Sequence, residues 1–391
     1  MGTLGVIVFA LLYPQQGDLE RAWNLAGNGD RSQAIQLLEH TVRQFPNNSD
    51  ARLLLGSLLS EAGDAPEAID QLTAAVRLAP RSADAQNALG EAYLAAGDFK
   101  DARSPFEQAL KLKPQYAIAQ LNLGSVLLQA GDFNAAAAHL DRAIELLGRD
   151  ADAAYARYLR AKAYSAASDP QNAAKLLEQA IALRPEYAEA WSDLGQARRL
   201  LLDDAGALAA EKRAVELKPS DPVAQYRLGA EYLRQDQIDA AIEHLQTANQ
   251  LKPGDQSTLN ALQSALRQAG RSAEADEIKR RLADLLREKD RQNQDELEAV
   301  KLNNEGADLQ RAGHLAEAAA KYKQAVALYP AHAGIRVNYA VALLRLGRWT
   351  DGLNELHEAL ERDPGNAQIR SALNDALRQA PAGTRPAWAD R

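Results

Sequence analysis

One spacing constrains this chain more than any other feature: a small residue returns at a fixed interval, each time ahead of a Leu- and Lys-rich stretch. Ala34, Ala68, Ala102 and Ala136 lie 34 apart, and after a step of 37 come Ala173, Ala207, Ala241 and Ala275, again 34 apart. A step of 43 then reaches Ala318, and 34 more reaches Gly352. A block of that length cannot bury its own apolar face, so ten of them must stack on one another instead of closing a single core. Composition agrees. Five Phe, four Trp and one Met among 391 residues are too few large side chains for several compact cores, whereas the abundant Ala and Leu favour helix.

Each unit reads as two helices, A and B. Helix A carries a Leu-Gly pair, at Leu55-Gly56, Leu89-Gly90, Leu123-Gly124, Leu194-Gly195 and Leu228-Gly229, often with Tyr three residues on, as at Tyr93 and Tyr232. A turn follows, clearest at Gly63-Asp64, Gly97-Asp98 and Gly131-Asp132; glycine supplies a left-handed residue and aspartate a cap for helix B. Helix B repeats an alanine seven residues after the first, as at Ala75, Ala109 and Ala143, and ends at Pro46, Pro80, Pro114, Pro185, Pro219, Pro253, Pro330 and Pro364. Small residues let backbones approach closely, and proline stops helix B so that the chain turns.

Spacing, small residues, turn and proline together resemble the tetratricopeptide repeat (TPR) family over about nine-tenths of the chain, in the style of long bacterial arrays, with Trp191 at the family's tryptophan position. The resemblance implies an all-α fold: a right-handed superhelical solenoid of about ten helix pairs, helix A lining the concave face, closed by a capping helix. The predicted divisions are an apolar segment at 1–14, units 1–8 at 15–288, a charged helical joint at 289–298, units 9–10 at 299–366, a capping helix at 367–380 and a disordered tail at 381–391. Unit 8 departs most, with Gln263, Leu282 and Arg287 at the glycine, second-alanine and proline positions, and its helix B runs into the charged stretch Ile278 to Glu298. Pro105 inside helix B of unit 3 is expected to kink that helix.

Leu4 to Leu12 is a nine-residue apolar run, too short to span a bilayer. It has the length of a signal-peptide core, without a preceding Lys or Arg or an Ala-x-Ala site. The abrupt change at Tyr13-Pro14 favours export to a periplasm or cell envelope; the other reading is a cytoplasmic protein whose first residues pack over unit 1.

No catalytic constellation emerges: no phosphate loop, no His-Glu-x-x-His, no calcium loop. The six histidines are scattered over the units, no metal ligand set or cofactor site is expected, and the absence of cysteine excludes disulfides and thiolate zinc sites. A net charge of −8 has the wrong sign for a nucleic-acid binder. The TPR clamp for chaperone C-termini is not matched: Asn338 fits its middle element, but Asn303, Ala307, Gln368 and Ala372 stand where its other members belong. The expected function is a non-enzymatic scaffold that binds a protein or peptide in the concave groove, with no membrane span. The alternative is a targeting or substrate-recruiting subunit of a glycosyltransferase or protease on another chain. Projection of helix A onto the concave side selects Leu121, Tyr155, Tyr158, Arg199, Tyr226, Arg234 and Arg267 as binding residues. Tyr and Arg are enriched in binding hot spots.

Overall fold

A computed structural model describes residues 14–149 and 151–390; the apolar run Leu4 to Leu12 lies outside them. The described residues form helices without a strand, from Pro14–Gly27 to Ala367–Gln379. Each sequence-defined unit up to unit 7 is an antiparallel helix pair, for example Ala83–Ala95 with Phe99–Leu112 in unit 3 and Ala188–Leu200 with Asp204–Leu217 in unit 6. The architecture is an all-α superhelical solenoid. By internal contacts it divides into two bodies, up to Ser272 and from Ala273 onwards.

The repeated small residues do what their spacing implies. A Cβ at Gly56, Gly90, Gly124 or Gly229 would fall 2.5, 2.6, 2.6 and 2.7 Å from Leu72, Phe106, Leu140 and Leu245 of the partner helix B. These four large side chains are fully buried, so the missing Cβ is what admits them. Removing each from water contributes about 2 kcal/mol. Alanine suffices at the same place in units 1, 5 and 10, where Ala22, Ala161 and Ala340 stand sixteen residues before the buried Leu38, Leu177 and Leu356. Unit 8 lacks the pair altogether, with Gln263 and Lys279 at those two positions.

Turns and joints follow from local chemistry. Gly63, Gly97 and Gly131 take φ of +88°, +79° and +78°, the left-handed region that glycine enters without a Cβ penalty. Asp64 and Asp132 then accept the N–H of Glu67 and Ala135 (3.4 and 3.3 Å), whereas Asp98, expected to cap in the same way, makes no such bond. In units 5, 6 and 7 the left-handed place is held by Ser168, Leu202 and Asp236. Between units, the residue six after the proline ties the next helix A to the proline carbonyl. Arg52, Gln120 and Gln225 donate to the oxygens of Pro46, Pro114 and Pro219 (2.8, 3.1 and 2.8 Å). The indole of Trp191 donates to Pro185 in the same way (2.9 Å), which is a physical reason for tryptophan there. His139 and His244 steady two of these amides, their Nδ1 lying 2.6 and 2.8 Å from the Oε1 of Gln120 and Gln225.

Helix Phe99–Leu112 continues through Pro105, which is buried within it. Within the first body, the A helices of units 1 and 2, 2 and 3, 4 and 5, and 7 and 8 touch each other, and successive B helices have no comparable contact. The stack therefore curves with helix A inside, and that inner side carries the candidate site.

The second body begins within the helix Ser272–Arg311, 40 residues without a break, through the expected joint. Between Ala275 and Ala299 none of its side chains is buried. Its last turns supply Gly306, against which Tyr322 packs, and so serve as helix A of unit 9. Helix Ala367–Gln379 packs against helix Trp349–Arg362 of unit 10, with Asn366 accepting the N–H of Gln368 and Ile369 and with Ile369, Leu373 and Ala376 buried. The expected disordered tail is a correction. The Trp388 ring stacks on His357 at 4.1 Å between centroids, and its Nε1–H donates to Asn354 Oδ1 (2.8 Å). An aromatic side chain near the chain end finds an exposed helix face and covers it, which a composition argument does not register.

Candidate functional site

Three of the seven sequence-selected residues meet in one place. Arg199, Tyr226 and Arg234, from the A helices of units 6 and 7, line a cavity of about 80 Å³ together with Gln196, Arg227 and the carboxyls of Glu211 and Glu231. Helical spacing explains the convergence, because residues three or four apart share a face.

Two guanidinium groups of this cluster are held. Arg227 donates to Ser192 Oγ (2.9 Å), Asp193 Oδ1 (2.9 Å) and Gln196 Oε1 (2.8 Å). Arg234 pairs with Asp204 and lies 3.6 Å from Glu231, whose side chain is 3% exposed. Arg199 is exposed and, among the described residues, has no hydrogen-bond or ion-pair partner. A planar fork of donors beside a pocket, with its neighbours already neutralised, suits an incoming carboxylate.

Glu211 is the member that sequence reasoning missed. It occupies the place filled by Leu72, Phe106, Leu140 and Leu245 in other units, directly against Gly195. The side chain is 4% exposed, and its Oε2 accepts a hydrogen bond from Ser192 Oγ (3.0 Å). Burial pushes its pKa up to about 8, against the opposing attraction of Arg227 and the Ser192 bond. Near neutral pH the group is therefore mostly a neutral acid. The signal was available, since four residues after Ala207 the repeat calls for a large apolar side chain and the chain has Glu.

The remaining selected residues lie apart from that cavity. Tyr155 is 40% exposed and stacks on Tyr158 at 6.4 Å, and Tyr158 lies tilted against the buried Tyr187 at 4.9 Å. Tyr158 is half-buried, and burial raises its pKa, helped by a hydrogen bond to Asp193. Its ring faces the Lys162 ammonium at 5.6 Å. Arg267 is exposed on helix A of unit 8, outside the cavity lining. Leu121 is a correction: it is 4% exposed and belongs to the core around Phe106 and Leu140, so it offers nothing to a ligand. Helix A of unit 4 is apolar on nearly every side, and the projection chose the wrong face.

Among the described residues no group of three or more His, Asp or Glu could hold a metal ion, and no helix is long and apolar enough to cross a membrane.

Tetratricopeptide repeat models match residues 19–83, 53–117, 87–156, 158–222, 223–255 and 309–376, well over half of the chain. The chain belongs to the tetratricopeptide repeat family. The TPR array is accordingly a protein-interaction scaffold. Among solved structures it is similar to Pseudomonas aeruginosa PilF, at TM-score 0.50 and 17% identity over 54% of this chain and 95% of that one. MamA aligns at TM-score 0.38 and 26% identity over 42% of this chain and 94% of its own. YrrB, a TPR protein with an unusual peptide-binding site, aligns at TM-score 0.41 and 20% identity over 49% and 96%. The PilF likeness extends to the fold and no further. No curated protein matches the chain.

Proposed function

We propose that this chain is a non-enzymatic scaffold that holds an extended protein segment along the helix-A side of units 5 to 7, with an acidic side chain of that segment at Arg199. The observation that carries the reading is the unpartnered Arg199 guanidinium on an 80 Å³ cavity whose other arginines are already paired. A carboxylate-sized group fits that volume. The exposed Tyr155 and the half-buried Tyr158 and Tyr226 extend the surface with rigid aromatic rings that lose little entropy on binding.

The probe is a fluorescently labelled synthetic peptide of alternating Glu and Leu, titrated against the full chain by anisotropy. Arg199→Ala should weaken it on the order of tenfold or more, the scale of a hot-spot truncation of about 2 kcal/mol. Arg280→Ala, on the exposed stretch of the long helix, should leave it unchanged. Equal affinity of the wild type and Arg199→Ala would place recognition elsewhere and end this assignment.

A further inference from the structure

Units 1 to 4 carry a much larger cavity on the helix-A side, about 850 Å³ in volume. The half-buried Leu53 and Leu54 form part of its lining, and Trp23 stands 67% exposed at its edge. Around these apolar groups sit five carboxylates, those of Glu20, Asp50, Glu61, Asp84 and Glu91, against the single basic residue Arg31. Arg31 is spent on Glu61 (3.1 Å). Glu20, Asp50, Asp84 and Glu91 have no basic partner among the described residues.

Glu91 is held in place. Its Oε1 accepts from the side-chain amides of Asn87 and Asn122 (both 3.0 Å), the second reaching across from the next unit, and its other oxygen is left over. Asn87, which lines the same cavity, is 4% exposed, and its own Oδ1 has no donor. The buried, unpaired amide oxygen adds a partial negative charge beside the positioned Glu91 carboxylate. Like charges gathered in a cleft with apolar walls also focus a negative potential there, and a bound cation relieves their mutual repulsion.

From these features we infer a second binding surface of opposite sign to the arginine cavity: the groove of units 1 to 4 binds a cationic polypeptide segment that also carries apolar side chains. Lys or Arg side chains of the partner meet Asp50, Asp84 and Glu91, and Leu or aromatic side chains cover Leu53 and Leu54. Trp23 offers an aromatic face to either kind of side chain. The chain's own apolar run Leu4 to Leu12 contains no basic residue, so it supplies nothing for the carboxylates. The inference uses none of the residues around Arg199, and each surface stands or falls separately.

The test titrates the full chain with two synthetic peptides of equal length, alternating Lys–Leu and alternating Glu–Leu, following tryptophan emission. The part of the emission change that disappears in Trp23→Phe reports this groove. The Lys–Leu peptide should shift the Trp23 signal, and the Glu–Leu peptide should not, even where it binds at Arg199. Asp50→Asn combined with Glu91→Gln should weaken the Lys–Leu peptide roughly tenfold, from two exposed pairs lost, with helicity unchanged by circular dichroism. Asp295→Asn with Glu296→Gln removes the same charge from the long helix and should change nothing, which separates a built site from attraction to an acidic protein. Arg199→Ala should also leave the Trp23 signal intact. The inference is overturned if both peptides move Trp23 alike, or if the groove pair binds as tightly as the wild type. Lys–Leu binding that appears only after residues 1–12 are removed would give the groove to the chain's own segment and overturn it too.

Discussion

Replacing Glu211 by Gln removes a titrating group from the middle of unit 6 while keeping its shape and an acceptor for Ser192. The buried acid has an ordinary value of 4.5 when unfolded and is pushed up to about 8 in the fold. Its contribution to stability is fully present below about 4.5 and is lost as pH rises through about 8. Between those limits the folded chain binds one more proton than the unfolded chain, so stability falls by about 1.4 kcal/mol per pH unit. Carried from the unfolded value to neutrality, the loss is about 3 kcal/mol. Glu211→Gln escapes it. The variant should match the wild type near pH 4.5 and exceed it by about 3 kcal/mol at about pH 7. Urea denaturation followed by circular dichroism at a series of pH values measures the two curves. Hydrogen exchange at the amides of helix Asp204–Leu217 localises the gain to unit 6. Parallel stability profiles for the two proteins across this range would refute the reasoning, because the carboxyl would then titrate alike folded and unfolded.

Leu202 is 85% exposed and sits at φ +62°, where a side chain costs about 1 kcal/mol relative to glycine; Leu202→Gly should raise the thermal midpoint, and a lowered midpoint would contradict that strain. In the long helix, no side chain between Ala275 and Ala299 is buried, and that stretch is laced by exposed pairs such as Arg287–Asp284 and Arg291–Glu288 (3.0 and 2.8 Å). Opening should therefore be easiest there, and brief trypsin digestion should cut between Lys279 and Arg291 before any other unit is attacked; uniform digestion along the array would count against it.

The helix pairs were legible because their determinants are local and repeated. Gly-Asp at the turn and proline after helix B act within a few residues and Leu-Gly in helix A within one hairpin, and the structure puts them to those uses at Gly63, Pro46 and Gly56. Arg199, Tyr226 and Arg234 could be found for a related reason, since a face of helix A recurs with the repeat. Leu121 could not be placed, because an almost uniformly apolar helix has no polar stripe to mark its outer side. Glu211 and the carboxylates around Trp23 escaped for the opposite reason. They are departures from the repeat or sums over three neighbouring units, and a search for matching positions discards both. The Trp388 contact depends on which surface the chain end happens to meet, and no periodicity encodes it.

The helix-A glycines of the Leu-Gly pairs each fit a side chain of their own hairpin, as Gly56 does with Leu72, Gly90 with Phe106, Gly124 with Leu140 and Gly229 with Leu245. A duplicated or deleted block therefore carries both halves of its tightest fit with it, and joints such as those at Pro46, Pro114, Pro185 and Pro219 are tied by the same proline-carbonyl bond. A unit gained or lost in one genetic step keeps that fit intact. The number of units is then free to follow the length of whatever the array has to hold, while substitutions such as Glu211 and Arg199 write individual character onto single units.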